Sequence, residues 1–267
     1  MSDNDHNTPA RIRLVTSDDQ KAARFYTGKS QMEGLTAANV KLYTNPLIIS
    51  LWVALSCIMI EVLQWWPNPQ LHGWTAYLKP IPAFAAMALP IMFGIDWFNR
   101  PYFDDKLQET IRRPDLVDIP AYYSRSPASG FWFLKYGDRF VGLIAIDASP
   151  DSTQSSVVVS ESHEPGTKPS YGKGTAEIAT IRHFFVDEPY RAVFIQDDLL
   201  QHAVKHAFQS SDKVKCVRAV DSPLTPYLSQ ALKKSGFKVQ GDVGSIGVLG
   251  WKLKECELER EQWKERT

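Results

Sequence analysis

The stretch DEPYRAVFIQDDLL, residues 187–200, has the pattern of a tight turn that leads into an amphipathic helix. Helix N-termini bind phosphate groups because their backbone N–H groups are unpaired and the helix dipole favours an anion. Phosphate-binding turns use glycine to let the backbone approach the anion, and this stretch has no glycine. Asp197 and Asp198 would stabilise the start of a helix but repel a phosphate at the same place. The stretch therefore has the position of a phosphate-binding turn but not its chemistry.

Two histidines on the same predicted helix, His202 and His206, have the i, i+4 spacing that can bring two imidazoles to one metal ion. The sequence offers no third ligand and no glutamate of the zinc-protease type, so the favoured interpretation is a pair of surface or packing histidines and no metal site. The glycines at 241, 244, 247 and 250 do not match the dinucleotide-binding pattern and indicate a flexible connection between strands.

The composition excludes several classes of protein. The 267 residues suit one or two domains, and the 30 basic and 30 acidic side chains leave no net charge to attract nucleic acid. No basic cluster with interleaved aromatic residues is present, so no nucleic-acid partner is expected. The three cysteines are widely spaced, which argues against a disulfide framework and against a cysteine zinc site.

The apolar stretch 47–66 has about the twenty residues needed to cross a bilayer, and a second apolar stretch, 80–98, is shorter and carries three prolines that would kink a helix. Tryptophan and tyrosine flank them as interfacial belts do, although two buried core helices of a soluble protein would give a similar pattern. Basic residues are concentrated before the first stretch and after the second, and the positive-inside rule then places both termini in the cytosol. The sequence therefore predicts a transmembrane hairpin with the lipid bilayer as its partner.

The remaining elements predict an α+β fold, a mixed sheet with flanking helices interrupted by this hairpin. The predicted strands are 11–15, the two strands of a β-hairpin over 130–147 that turns at Gly137, and 175–187, 214–220 and 247–253. The predicted helices that follow the membrane hairpin are 197–209 and 224–237. Ser17 and Gln20 match a capping box at the start of the first helix, and 148–174 is expected to be an exposed loop. The predicted organisation is a disordered N-terminus (1–10), a first strand and helix (11–44), the membrane hairpin (45–99), the rest of the domain (100–255) and a charged C-terminal tail (256–267).

Several segments in this order resemble the GNAT acyltransferases, in particular the membrane-anchored N-acetyltransferases of the endoplasmic reticulum. The segments that carry the resemblance are RIRLVTSDDQ at the front, residues 114–146, IRHFFVDEPYR (181–191) and ALKKSGFKVQG (231–241). Together they cover most of the chain outside the apolar stretches and the loop 148–174. The resemblance implies that acetyl-CoA lies between the fourth and fifth strands, with its pyrophosphate on a turn of the pattern R/Q-x-x-G-x-G/A.

This motif falls on residues 191–196, where Arg191 matches but Phe194 and Gln196 replace the small residues. If acetyl-CoA binds at all, the resemblance assigns it to Val186, Arg191, Val193 and Ile195. The position of the family's thiolate-protonating tyrosine is occupied by Leu232, which cannot donate a proton, and Tyr227 lies earlier in the same predicted helix. The resemblance also offers Glu177, and less readily His183, as a general base on the fourth strand.

These departures favour a degenerate domain without a cofactor over an enzyme. The chain would then act as an accessory, escort or regulatory factor for another integral membrane protein in the endoplasmic reticulum. A weaker resemblance to fungal accessory proteins of phosphate-transporter export suggests a phosphate transporter as the client. Glu61, Pro82 and Pro90 are the candidate contacts, since a charge or a broken helix within a membrane needs a protein neighbour. The alternative is an active N-acetyltransferase that uses acetyl-CoA at the cytosolic membrane face.

Overall fold

A computed structural model describes residues 10–153 and 172–265. Its centre is a seven-stranded mixed sheet of order β1-β2-β3-β4-β5-β7-β6. The strands are β1 (Ala10–Leu14), β2 (Gly130–Tyr136), β3 (Arg139–Asp147), β4 (Ile178–Val186), β5 (Cys216–Asp221), β6 (Lys238–Ile246) and β7 (Trp251–Glu259). The helices are α1 (Gln20–Tyr43), α2 (Pro46–Val62), α3 (Pro69–His72), α4 (Ile81–Arg112), α5 (Ile119–Tyr123), α6 (Ile195–Ser210), α7 (Pro226–Ser235) and α8 (Arg260–Lys264).

The sheet buries both of its faces, because side chains alternate across each strand. Trp132 and Leu134 of β2 pack in a core with α6 and α7. Phe131 and Phe133 of the same strand pack on the opposite face with residues of α1 and α5. The sheet thus has helices on both sides, and the prediction of a mixed sheet with flanking helices is confirmed.

Strands β4 and β5 are parallel neighbours that separate after three residue pairs. The last pair is Thr180 with Arg218, and β4 then continues to Val186 alongside β3 alone. Ala145 of β3 pairs with His183 and Ile146 pairs with Ile181, so Arg182 is the extra residue of a β-bulge. A bulge bends the strand that carries it, and this one lies where β4 leaves β5.

The two apolar stretches form α2 and the first half of α4, and these helices pack together through Trp52. Its indole N–H donates to the carbonyl of Phe84 over 2.9 Å. α1 bends by 61° into α2, and α4 continues as one helix through Pro90. Of the described residues, Gly73–Arg112 alone is long and apolar enough to cross a membrane as a single stretch, and the bent pair α1–α2 is a second candidate only if it counts as one span. The membrane hairpin therefore stays a prediction.

A buried polar network joins α1, α4 and the β6–β7 connection at the end of the apolar half of α4. The Asn39 amide donates to Asp96 and the Asn99 amide donates to Asn39, each over 2.9 Å. The Asn99 carbonyl oxygen accepts from the backbone N–H of Val248 over 3.0 Å. Asn99 is fully buried, so these bonds replace the water that its amide loses on folding.

The structure corrects the predicted end of the chain. Residues 256–259 of the predicted charged tail belong to β7, which lies between β5 and β6 inside the sheet. Their two glutamates and Leu258 favour helix locally, but pairing with β5 on one side and β6 on the other decides their conformation. β6 was not predicted, because it is an exposed edge strand with two glycines and little apolar alternation.

Two smaller predictions also change. Thr16 and Asp19, not Ser17 and Gln20, form the capping box before α1. The predicted exposed loop 148–174 begins with buried residues, since Ala148, Ser149 and Ser152 are all covered. Residues 154–171 of that loop and residues 1–9 of the predicted disordered N-terminus lie outside the described residues.

Replacing Asn99 by leucine should lower the free energy of unfolding by about 2 kcal/mol, because it leaves the amide oxygen of the buried Asn39 and the N–H of Val248 without their partner. Thermal unfolding of the detergent-solubilised chain measures the effect. The exposed Asn68→Leu variant is the matched control, and equal melting temperatures of the two variants would contradict a structural role of the network.

Candidate functional site

A cavity of about 560 Å³ opens where β4 and β5 separate. α1 and α4 form one side of it, β4 and β5 its floor, and α7 with β6 and β7 the other side. Its volume falls within the range of small-molecule sites, roughly 300–1,000 Å³. The separation of the two strands therefore produces a space suited to a ligand.

A buried histidine–aspartate pair lies at this cavity. His183, which lines the cavity, is hydrogen-bonded through Nε2 to Asp115 Oδ2 over 2.6 Å. The hydroxyl of Tyr123 donates to the same carboxylate oxygen over 3.1 Å. A carboxylate that orients an imidazole in this way is a common arrangement for a general base. The second oxygen of Asp115 is buried and has no hydrogen-bond partner among the described residues.

The charge state of Asp115 depends on its cationic neighbours. Burial by itself would raise the pKa of this carboxyl. The hydrogen bond and charge of His183, with the charges of Arg182 and Arg113, outweigh the burial and hold the pKa of Asp115 below its ordinary value. Asp115 is therefore ionised at neutral pH and can keep His183 in a fixed orientation.

Tyr227 also lines the cavity, from the first turn of α7. Its ring stacks on Phe184 with centroids 6.3 Å apart, and the guanidinium of Arg191 lies 4.2 Å from its centre. Burial raises the pKa of Tyr227 to about 12, so its hydroxyl keeps its proton at neutral pH. Leu232, at the position where the family resemblance expects a tyrosine, is buried in the core beneath α7.

The turn before α6 keeps the backbone shape of a glycine turn without containing glycine. Residues Glu188–Val193 form a 3₁₀ helix, and Phe194 then adopts the left-handed conformation with φ 59° and ψ 27°. This conformation costs a non-glycine residue about 1–2 kcal/mol. The Gln196 side chain is buried under the turn, where its amide donates to the carbonyl of Arg191 over 3.3 Å.

A lysine occupies the outer side of this turn. Lys234 of α7 forms an ion pair with Asp197 at 2.5 Å, and its ammonium lies 5.3 Å from the centre of the Phe194 ring. The aromatic face and the carboxylate both attract a cation. The start of α6 is thus already paired with a positive group from the same chain, and Asp197 is a partner of that group.

Arg191, the residue that matches the acetyl-CoA motif, is also engaged within the chain. Its guanidinium donates to Glu33 of α1 over 2.5 Å and to the carbonyl of Val186 over 2.8 Å. A second ion pair, between Lys29 of α1 and Asp187, measures 2.6 Å. We call these two ion pairs, Lys29–Asp187 and Glu33–Arg191, the α1 clasp, because they hold α1 against both ends of the turn.

The remaining residues that the sequence predicted for the site do not all lie at the cavity. Glu177 does not line the cavity; it is 65% exposed and pairs with Lys215 at 2.6 Å on the surface. Val186 lies at the end of β4 beside Arg191, Ile195 is half-buried at the start of α6, and Val193 is exposed in the turn.

The two histidines of α6 pack on an aromatic ring. His202 and His206 lie edge-on to Trp132, with ring centroids 5.3 and 4.8 Å away. In the part of the chain that the structure describes, no group of three or more histidine, cysteine or acidic side chains is placed to hold a metal ion.

Asp115 was missed by sequence reasoning. It lies in a short 3₁₀ helix, Pro114–Leu116, between α4 and α5. Its partner His183 is 68 residues further along the chain, and no local pattern around PDLVD indicates a buried carboxylate.

Comparison with known proteins adds little beyond the topology. No protein-family model and no curated protein matches the chain. Among solved structures, the chain is similar to a GNAT-family acetyltransferase from Streptococcus pneumoniae, with 10% identity, 94% of this chain and 99% of that chain covered, and a TM-score of 0.46. It is also similar to an aminoglycoside acetyltransferase in complex with coenzyme A and kanamycin, with 12% identity, coverage of 97% and 100%, and a TM-score of 0.46.

Likenesses at such low identity and TM-score do not decide an activity. The strand order and the divergence of parallel β4 and β5 are the features of this chain that resemble the GNAT fold. The chain is thus a mixed α/β structure with helices on both faces of its sheet.

Asp115→Asn should lower the stability at neutral pH and weaken its acid dependence. The folded pKa of Asp115 lies below the unfolded value of about 3.9, so its ion pair contributes stability above about pH 4 that is lost as pH falls through the folded pKa. Urea unfolding between about pH 3 and pH 7 measures this difference. The exposed turn variant Asp138→Asn serves as the control, and an unchanged pH dependence in Asp115→Asn would contradict the assignment.

Proposed function

We propose that this chain is a membrane-anchored, GNAT-like binding protein that has lost the ability to hold acetyl-CoA. It acts as an accessory, escort or regulatory factor for another integral membrane protein. The observation that carries this proposal is the turn before α6, where large side chains replace the motif's glycines and the motif's arginine is paired within the chain. Arg191 is bound by Glu33, Gln196 lies beneath the turn, and Lys234 covers Phe194 and Asp197.

The exposed apolar surface supports the membrane anchor. Large hydrophobic side chains cover the outside of α2 and the first half of α4, among them Leu47, Val62, Leu89, Phe93, Trp97 and Phe98. A continuous apolar surface of this kind marks contact with lipid or with another protein. α2 has 17 residues, which gives a length of about 25 Å, close to the thickness of the hydrocarbon core of a bilayer. Both termini are then cytosolic, and the endoplasmic reticulum is the proposed compartment.

The three residues proposed to contact a client protein differ in how well their structural environment supports that role. Pro90 lies inside α4, where its missing N–H leaves the carbonyl of Ala86 without its helical donor. Glu61 lies at the end of α2, and its carboxylate accepts from the Trp66 indole over 2.5 Å. Pro82 stands in the first turn of α4, a position that proline tolerates. Pro90 is therefore the best of the three candidates for contact with a client helix, and a phosphate transporter is one client of the proposed type.

An active N-acetyltransferase is the second candidate, and the His183–Asp115 pair favours it. His183 lines the cavity, and in its neutral form with Nε2–H donated to Asp115 it has Nδ1 left to accept a proton from an amine. Tyr227 lines the same cavity with its hydroxyl protonated, so it can donate a proton to a leaving thiolate. In this case acetyl-CoA supplies the acyl group, and the turn before α6 must open to admit it.

Calorimetric titration of the detergent-solubilised chain with acetyl-CoA separates the two candidates. We expect the unmodified chain to show no binding at acetyl-CoA concentrations up to about 1 mM. This result would mean that the free energy of binding is weaker than about −4 kcal/mol. We expect micromolar binding after Phe194→Gly and Gln196→Gly are combined, because two glycines free the backbone N–H groups of the turn.

Val193→Gly is the matched control, since it changes an exposed apolar residue of the same turn outside the two glycine positions of the motif. Micromolar binding by the unmodified chain would overturn the loss of the cofactor and support the enzyme.

Thiol labelling tests the anchor, with the native cysteines Cys57, Cys216 and Cys256 replaced by alanine. In sealed microsomes, Trp74→Cys in the α3–α4 connection should react with an impermeant maleimide only after permeabilisation. Arg139→Cys at the start of β3 should react without it. Reaction of both cysteines in intact microsomes would contradict a transmembrane hairpin.

A further inference from the structure

We propose that the cavity between β4 and β5 binds the anionic, phosphate-bearing headgroup of a membrane lipid. This inference rests on the proposed membrane anchor and adds a ligand to the cavity. α4 forms both the second apolar helix and one wall of the cavity.

The wall that α4 contributes changes from apolar to basic with distance from the apolar half. Phe103, Lys106, Thr110 and Arg113 line the cavity and fall on one stripe of the helix. At 1.5 Å per residue, Phe103 lies about 6 Å beyond Asn99 along the axis and Arg113 about 21 Å beyond it. A lipid placed along this wall would meet apolar groups first and cations further in.

The β6–β7 connection brings a second apolar wall to the same end of the cavity. Its backbone is bonded to Asn99 through the N–H of Val248. Ile246 and Leu253, on either side of the connection, line the cavity, while Val248 and Leu249 at its tip are about half exposed. The apolar side of the cavity is thus fixed to the end of the proposed membrane segment.

The charge of the cavity favours an anion. Lys106, Arg113, Arg182 and Arg218 line it together with a single acidic side chain, Glu255. Carboxylates behind the wall neutralise part of this charge: Lys106 and Arg113 share the exposed carboxylate of Glu109 at 3.2 and 2.8 Å, and Arg113 also acts on the buried carboxylate of Asp115. Among the side chains that line the cavity, the cationic ones therefore outnumber the acidic one.

Unsatisfied donors point to the same chemistry. The buried Nε of Arg113 and the buried hydroxyl of Thr180 have no hydrogen-bond partner among the described residues, and both side chains line the cavity. Buried donors are normally satisfied, and an oxygen of a phosphate group would accept from either of them.

Native mass spectrometry of the full, detergent-solubilised chain tests the inference with three probes: dihexanoyl phosphatidic acid, dihexanoyl phosphatidylcholine and inorganic phosphate. We expect phosphatidic acid to bind in preference to phosphatidylcholine, and inorganic phosphate to bind at least about tenfold more weakly. Combining Lys106→Gln with Arg113→Gln should weaken the binding of phosphatidic acid at least about tenfold. Arg112→Gln is the matched control, because Arg112 is exposed on the same helix and does not line the cavity.

Three outcomes would overturn the inference: no binding of phosphatidic acid, equal binding of inorganic phosphate, or equal loss of binding in the double variant and the control. Circular dichroism of each variant verifies that the fold is retained. If the double variant unfolds, the binding measurement is made with the single variant Lys106→Gln instead. Thiol labelling distinguishes a failure of this inference from a failure of the proposed membrane anchor. A chain that forms the hairpin but binds no lipid contradicts only this inference, whereas a chain that binds lipid without forming the hairpin contradicts the anchor.

Discussion

The separation of β4 from β5 after the Thr180–Arg218 pair is the constraint on which the rest of the site depends. β4 stays with β3 as far as Val186, while β5 pairs with β7 on its other side, so the two parallel strands cannot close the gap between them. The bulge at Arg182 bends β4 at this point. The gap exposes His183 to a cavity while Asp115 remains buried behind it. One break in strand pairing thus produces both the space for a ligand and a chemical group at its wall.

The turn that follows β4 has the opposite electrostatic character to the one that its position suggests. A helix N-terminus attracts anions, yet here Phe194 and Asp197 attract a cation, and Lys234 supplies it. The α1 clasp withdraws Arg191 from the turn surface in the same way. The cavity stays open, while the turn is occupied by side chains of the chain itself.

α4 connects the apolar surface to the cavity without an interruption in the helix. Its first half carries exposed apolar residues, and its second half carries Phe103 and Arg113 into the cavity wall. The Asn39–Asp96–Asn99 network fixes the midpoint of this helix to α1 and to the β6–β7 connection. A helix shared in this way links the proposed membrane segment to the site, and Pro101 removes one backbone hydrogen bond where the two halves of the helix meet.

The sequence by itself determined the elements whose signals are local. The β2–β3 hairpin turns at Gly137 with φ 59°, and α7 ends at Gly236 with φ 90°, because glycine alone adopts such angles without strain. The apolar spacing of α6 likewise specified its buried face. Tertiary structure alone decided which distant groups meet: Asp115 with His183 across 68 residues, and Glu33 with Arg191 across 158. It also made a strand of the charged segment 256–259, whose local preference is helical. Backbone preferences and periodicity act over a few residues, whereas these pairings depend on how the whole sheet is ordered, and a single sequence does not record that order.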